Sequence, residues 1–191
     1  MGLDMYLTRK FYVKNWDHMG PDEKHQITIT KGGKPSGIPT DRIREVETDE
    51  IYWRKANAIH RWFVDNCQGG VDDCRSAYVE REKLQELLDL VTRVIKSSKL
   101  KASMIRNGYT IDEKGKKKYR MVKGKVMTNT KLAKELLPTQ SGFFFGDTEY
   151  DQYYYEDLVF TRDEIIRVLA EDAKAREDGL RTGDFYYHSS W

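Results

Sequence analysis

Leu3-Asp4-Met5-Tyr6-Leu7-Thr8-Arg9-Lys10-Phe11-Tyr12-Val13-Lys14 opens the chain with a strand pattern. Leu3, Met5, Leu7, Phe11 and Val13 share one parity. Asp4, Tyr6, Thr8, Lys10, Tyr12 and Lys14 share the other. Alternation of period two marks a strand with one buried face, so the odd residues are expected inside. Arg9 is the one polar residue on the apolar side. Near the other end, Phe185-Tyr186-Tyr187-His188 reads as a short aromatic strand, and Gln26-Ile27-Thr28-Ile29-Thr30 as a further one. These segments are expected to pair as a small antiparallel sheet with three or four helices on one face. The fold expected is therefore a single α+β domain spanning residues 1–191.

Composition supports a folded core. The chain has 191 residues, of which 39% are hydrophobic, 34% charged and 12% aromatic. That many rings supply the apolar area needed to offset the entropy of ordering, which argues against disorder. The formal net charge of +2 sets up no field that would draw the whole chain to nucleic acid. No apolar run approaches the roughly 20 residues of a membrane span. Asp4 stands where a signal peptide would carry basic residues, and Tyr6 breaks a myristoylation motif, so a cytoplasmic protein with no membrane partner is expected. Cys67 and Cys74 lack the tight pairs of a zinc site and are expected as free thiols; no metal and no cofactor are expected.

Thr48-Asp49-Glu50 has the form of a helix start, a hydroxyl cap followed by two acids. A helix is expected from there to about Asn66, with Tyr52, Ala56, Ile59 and Phe63 on its buried stripe. A second helix is expected over Arg81 to Ser97, with Leu84, Leu87, Leu88, Val91 and Ile95 facing inward. A short helix over Lys131 to Leu137 precedes Pro138. Tyr154, Leu158, Thr161, Ile165 and Val168 keep helical spacing, and a capping box at Thr161 leaves open one helix or two.

Three constellations are candidates for chemistry. On the expected helix of residues 49–66, Trp53, Asn57 and His60 fall on one side, flanked by Arg54 and Arg61. An indole, an amide, an imidazole and guanidinium groups suit a nucleobase with phosphates; ordinary solvated and hydrogen-bonded helix residues are the plainer account. The second is Gln140-Ser141-Gly142-Phe143-Phe144-Phe145-Gly146, which reads as a pocket wall or as a buried strand with corner glycines. Three adjacent phenylalanines cannot share one face. Gln140, Ser141 and Phe144 are its candidate ligand contacts. The third is residues 96–125, where eleven Lys or Arg stand against Asp112 and Glu113. It reads as a lysine-rich β-hairpin over about 96–127, whose Lys116, Lys117, Lys118 and Arg120 could meet a polyanion and whose Tyr109 and Tyr119 could stack bases. A solvated, edge-protecting hairpin is the alternative. No nucleophile elbow, phosphate loop or catalytic triad accompanies these features, so no catalytic residue is assigned.

Met1-Gly2-Leu3-Asp4-Met5-Tyr6-Leu7, Tyr52-Trp53-Arg54-Lys55-Ala56-Asn57, Ile59-His60-Arg61-Trp62-Phe63-Val64, Gly70-Val71-Asp72-Asp73-Cys74 and the Leu137-to-Gly146 segment resemble a family of short uncharacterised bacteriophage and prophage proteins. The resemblance extends to the Ser189-Ser190-Trp191 ending and is weakest at the hairpin, which is read as an insertion. It implies a small accessory protein in an infected bacterial cytoplasm, the setting of proteins that counteract host defence. The leading expectation is a non-enzymatic binder of a small nucleotide-like ligand that sequesters a signal. Two others stand beside it: a module that inhibits a host protein or binds nucleic acid, and an enzyme acting on a nucleotide or small metabolite.

Overall fold

The computed structural model describes residues 2–191. In chain order the elements begin with β1 (Asp4–Tyr12), the two-residue strands β2 (Thr30–Lys31) and β3 (Lys34–Pro35), β4 (Glu45–Arg54), α1 (Asn57–Cys67), β5 (Ala77–Val79) and α2 (Arg81–Ser97). Then follow β6 (Leu100–Ile111), β7 (Lys117–Met127), α3 (Lys131–Leu136), α4 (Gln152–Glu177) and β8 (Asp184–Ser190). The main sheet has the order β4-β1-β8-β5, with every pair antiparallel. The architecture is α+β, as expected. The strand partners are not all those expected. Gln26–Thr30 stays out of the main sheet; only Thr30 pairs, in the small β2–β3 hairpin.

β1 follows its alternation where it crosses the core. Leu3, Met5 and Leu7 are fully buried, whereas Asp4 and Tyr6 are half-exposed. The rule then breaks at a bulge. Leu7 pairs with Ile51 but Thr8 with Asp49, so Glu50 is the extra residue of β4 and Thr8 is buried despite its parity. Phe11 and Val13 are only half-buried, because the sheet has passed the end of the core. Arg9 keeps the inward parity and is buried. Its guanidinium lies 4.4 Å from the Phe185 ring centre and pairs with Glu50 at 3.4 Å and Asp172 at 3.7 Å. Asp172, on α4, also receives Arg81 Nε at 2.8 Å and Arg176 at 3.1 Å. Burial pushes the Asp172 carboxyl up, but the Arg81 hydrogen bonds and the charges of Arg81, Arg176 and Arg9 outweigh it and hold the group below its usual range.

Residues 49–54 correct the expected helix. Thr48-Asp49-Glu50 lies within β4, and the ladder runs on to Tyr6 opposite Tyr52 and Asp4 opposite Arg54. Backbone pairing with β1 overrides the local cap signal. The chain turns at Lys55, whose φ of 62° is unusual for a residue with a side chain, and α1 starts only at Asn57. Trp53 is therefore a strand residue. It faces the core, and its indole N–H donates to Thr161 Oγ1 at 2.9 Å. That same Thr161 hydroxyl donates to the Asp157 carbonyl one turn back. It is occupied in the middle of α4 and caps nothing, so α4 is one helix rather than two.

α2 covers the expected residues and buries Leu84, Leu87 and Val91 as expected, but Leu88 and Ile95 sit at the edge of the stripe and are only half-buried, while Val94 is buried in full. These pack with Ile59 and Phe63 of α1, Leu158, Ile165 and Val168 of α4, and the inner sheet residues Leu3, Met5 and Phe185 in one apolar cluster. The rings of Phe63 and Tyr187 stack at 4.1 Å with planes 6° apart. The hairpin forms within the expected span: β6 and β7 pair from Leu100–Met127 out to Ile111–Lys117.

Candidate functional site

Asn57, the first residue of α1, meets the phenylalanine-rich segment with every polar atom of its side chain. Its Nδ2 donates to the carbonyls of Phe145 at 3.0 Å and Asp147 at 2.9 Å, while its Oδ1 accepts from Gln140 N–H at 3.0 Å. The segment 140–147 is neither strand nor helix, so its backbone groups need outside partners, and Asn57 supplies three. Leu3 N–H donates to the Phe144 carbonyl and secures the same segment to β1. The three phenylalanines separate as geometry requires: Phe145 is buried, Phe144 half-buried, and Phe143 is 90% exposed.

His60, one turn further along, is fully buried. Its Nε2 lies 2.9 Å from the Asp72 carboxylate and its Nδ1 2.8 Å from the Tyr187 hydroxyl. A carboxylate only accepts, so the Nε2–H donates to Asp72 and Nδ1 accepts a hydrogen bond from the Tyr187 hydroxyl. The other Asp72 oxygen accepts from the Trp191 indole. This line of hydrogen bonds ties α1, the 70–74 turn and the end of β8 together, with the Phe145 ring edge-on to His60 at 5.0 Å. Asp72 and Trp191 also border a shallow hollow of about 330 Å³ beside Gln140, Ser141 and Phe143. Gln140 Oε1 is buried there without a hydrogen-bond partner.

The larger opening, about 820 Å³, lies between the hairpin and the body of the protein. Arg54, Lys55 and the first residues of α1 form one side, segment 139–149 and the start of α4 a second, and Arg106, Tyr109, Lys117 and Tyr119 of the hairpin a third. The Arg106 guanidinium is 4.1 Å from the Tyr119 ring centre and Lys117 Nζ is 4.4 Å from that of Tyr109. Arg106 also pairs with Glu149 at 2.7 Å. Arg54 makes only a loose 3.8 Å contact with Asp4 and is largely exposed. On the α4 side, Asp157 is pushed up to about 7, first by burial and then by Glu156 and Asp151. A carboxyl poised there both donates and accepts near neutral pH. Asp151 caps α4 by accepting from Tyr153 N–H at 2.9 Å; burial raises it, and the backbone donors oppose that rise.

The residues singled out in the sequence thus scatter. Arg54, Asn57, Ser141 and Phe144 border the large cleft, and Gln140 borders the hollow next to it. Trp53 and His60 are interior and border neither. Arg61 sits on the solvent side of α1, paired with Asp65 at 3.5 Å. The basic quartet is split: Lys117 reaches the cleft, Lys116 lies in the hairpin turn, and Lys118 and Arg120 have the opposite strand parity to Lys117. Lys55, Arg106 and Asp157 border the cleft without having been singled out. Each lies in a pattern, a helix face or a charge run, where nothing local distinguishes it. Among the described residues no group of three or more His, Cys, Asp or Glu could hold a metal ion, and no helix is long and apolar enough to cross a membrane. No family model, curated protein or solved structure matches the chain.

Proposed function

We propose that the cleft between the hairpin and the body binds a small nucleotide-like ligand and holds it without turning it over. The observation that carries this reading is the joint lining by Arg54, Lys55, Arg106 and Lys117, with Tyr109, Tyr119 and Phe144 among them. Cations at the mouth suit phosphates, ring faces suit a base, and a carboxyl that holds or releases a proton near neutrality, Asp157, suits the polar edge of a base. The opening falls within the roughly 300–1,000 Å³ typical of small-ligand sites. The phage setting that the sequence resemblance implies would make such binding the capture of a host signal. The test is calorimetric titration with a panel of mono- and dinucleotides, together with mass spectrometry of small molecules released by heating the purified protein. Micromolar binding that drops at least tenfold in the Arg54→Gln, Lys55→Gln double variant supports the reading; millimolar or absent binding across the panel overturns it.

A second reading, a docking surface for a host protein, is favoured by Phe143. It projects beside the half-exposed Trp191 at the edge of the smaller hollow. Large exposed rings clustered in this way are typical interface anchors. A partner retained by the wild type and lost with Phe143→Ser would support it.

A further inference from the structure

We infer that the β6–β7 hairpin is a binding surface for single-stranded nucleic acid, extending the ligand class from a nucleotide in the cleft to a polymer along the hairpin. Three observations converge. First, the hairpin's charge is unbalanced and unpaired. Its lysines between 101 and 125 make no ion pair among the described residues, and the only basic residue there that does is Arg106. Like charges so concentrated repel one another, and a polyanion relieves that repulsion.

Second, rings are interleaved with those charges. Tyr109 and Tyr119 stand directly opposite each other across the two strands, their centres 6.1 Å apart, and are 46% and 40% exposed. Each carries a cation on its ring, Lys117 on Tyr109 and Arg106 on Tyr119. A base that takes the cation's place on the ring leaves that cation beside its own phosphate. Charge and stacking are then satisfied by one ligand.

Third, the shape selects the strand state. A two-stranded ribbon with half-exposed rings on its surface offers stacking only to bases that are not already stacked and paired. A duplex presents phosphates but hides its base faces, and an acidic peptide presents charge without flat rings. Single-stranded nucleic acid supplies both.

The surface shares Tyr109, Tyr119, Arg106 and Lys117 with the cleft and rests on the cleft reading at those four residues; Lys123 and Lys125, which keep the strand parity of Lys117 and Tyr119, belong to it alone. The 191-residue chain is titrated into a fluorescein-labelled oligothymidylate of about 15 nucleotides, a length within the range of sites of about 4–16 nucleotides. Anisotropy is followed at several salt concentrations. A blunt duplex of equal length and long-chain inorganic polyphosphate serve as competitors. The single strand is expected to bind most tightly. Replacing Lys123 and Lys125 together by Gln is expected to flatten the slope of log K against log salt by about 1.4, from about 0.7 per phosphate contact. Tyr109→Ala with Tyr119→Ala is expected to weaken the oligonucleotide about five- to 150-fold and to leave polyphosphate competition unchanged. Circular dichroism melting confirms that each variant is folded. Equal affinity for duplex or polyphosphate, or indifference to loss of both tyrosines, overturns the inference, as does no binding at low salt. The double Gln variant is also titrated with the nucleotide panel, where its affinity is expected to be unchanged. Oligonucleotide binding without mononucleotide binding sinks the cleft reading and leaves this one standing; the converse sinks this one alone.

Discussion

Replacing Asn57 by Ala separates a packing role from a ligand role. The side chain is 5% exposed and makes three hydrogen bonds, all to the backbone of residues 140–147. Each such bond contributes about 0.5–1.5 kcal/mol net, and stranding a buried partner costs somewhat more. Ala leaves two carbonyls and one N–H to find other partners. Because segment 140–147 borders both openings, water can reach part of it, so the expected loss is about 2–4 kcal/mol, toward the lower end of full stranding. For a chain of this length that is a fall in melting temperature of roughly 5–15 °C. Asn57→Asp sharpens the test. An aspartate keeps the acceptor for Gln140 N–H but presents an oxygen to the Phe145 and Asp147 carbonyls, so a nearly isosteric change should destabilise at least as much as Ala. Urea unfolding of the three proteins, followed by tryptophan fluorescence, measures both. If Asn57→Ala loses less than about 1 kcal/mol and Asp is milder still, the side chain does not hold the segment. The assignment of Asn57 to packing would then be wrong.

Three further outcomes follow from the buried and half-buried ionisable groups. Asp172→Ala leaves Arg9 and Arg81 without their shared carboxylate and should cost about 3–5 kcal/mol. Because the folded Asp172 carboxyl is held below its ordinary value, its contribution is present above about pH 4 and is lost as pH falls through the lower folded value, so acid denaturation should be shallower in the variant. Asp157 has the opposite sign: folded protein keeps a proton up to about pH 7 that unfolded protein has released, so stability should fall between about pH 4 and 7 and then level off. Asp157→Asn should remove that slope and be the more stable protein at pH 8, with a ceiling of about 4 kcal/mol that solvent in the cleft reduces; equal stability of the two at pH 8 would show that the carboxyl is not desolvated. Of the two free cysteines, exposed Cys74 should react rapidly with a thiol reagent at pH 8, while Cys67, pushed up to about 11 by burial, should react slowly until the protein unfolds.

The sequence was legible where one pattern met one demand. α2 follows from its leucine and valine spacing, and the first half of β1 from strict alternation, because a single face of each is buried by the same core. β4 was misread because Thr48-Asp49-Glu50 is a fair cap, and the cap is a local signal. What decided the segment was the open edge of β1, forty residues away in sequence, which takes up the backbone groups of residues 45–54. The stripe of Ala56, Ile59 and Phe63 nevertheless survived, because it belongs to a helix that starts at Asn57. Tyr52, expected as the first residue of that buried stripe, lies instead on the outward side of β4, 46% exposed.

The candidate site was legible only in outline, for a physical reason visible in two residues. Asn57 and His60 attracted notice as polar groups beside an apolar stripe, and such groups either bind something or hold something. Their hydrogen bonds answer for both: Asn57 is saturated by segment 140–147 and His60 by Asp72 and Tyr187. Polar side chains completed inside the fold have little left to offer a ligand. Those with capacity to spare are Arg54 and Lys55 at the strand–helix turn and Lys117 on the hairpin, two places far apart in sequence. They become neighbours of one opening only when the hairpin stands over the start of α1. No periodicity within a single element encodes that meeting. It depends on how a lysine-rich ribbon is seated against α4, where Gly124 leaves space that any Cβ would close: an added methyl would fall 2.9 Å from Gln152 Oε1 of α4 and 2.4 Å from Ile105 Cδ1 on the facing strand. The seat of the hairpin, rather than any residue of the cleft, is therefore what decides whether the cleft exists.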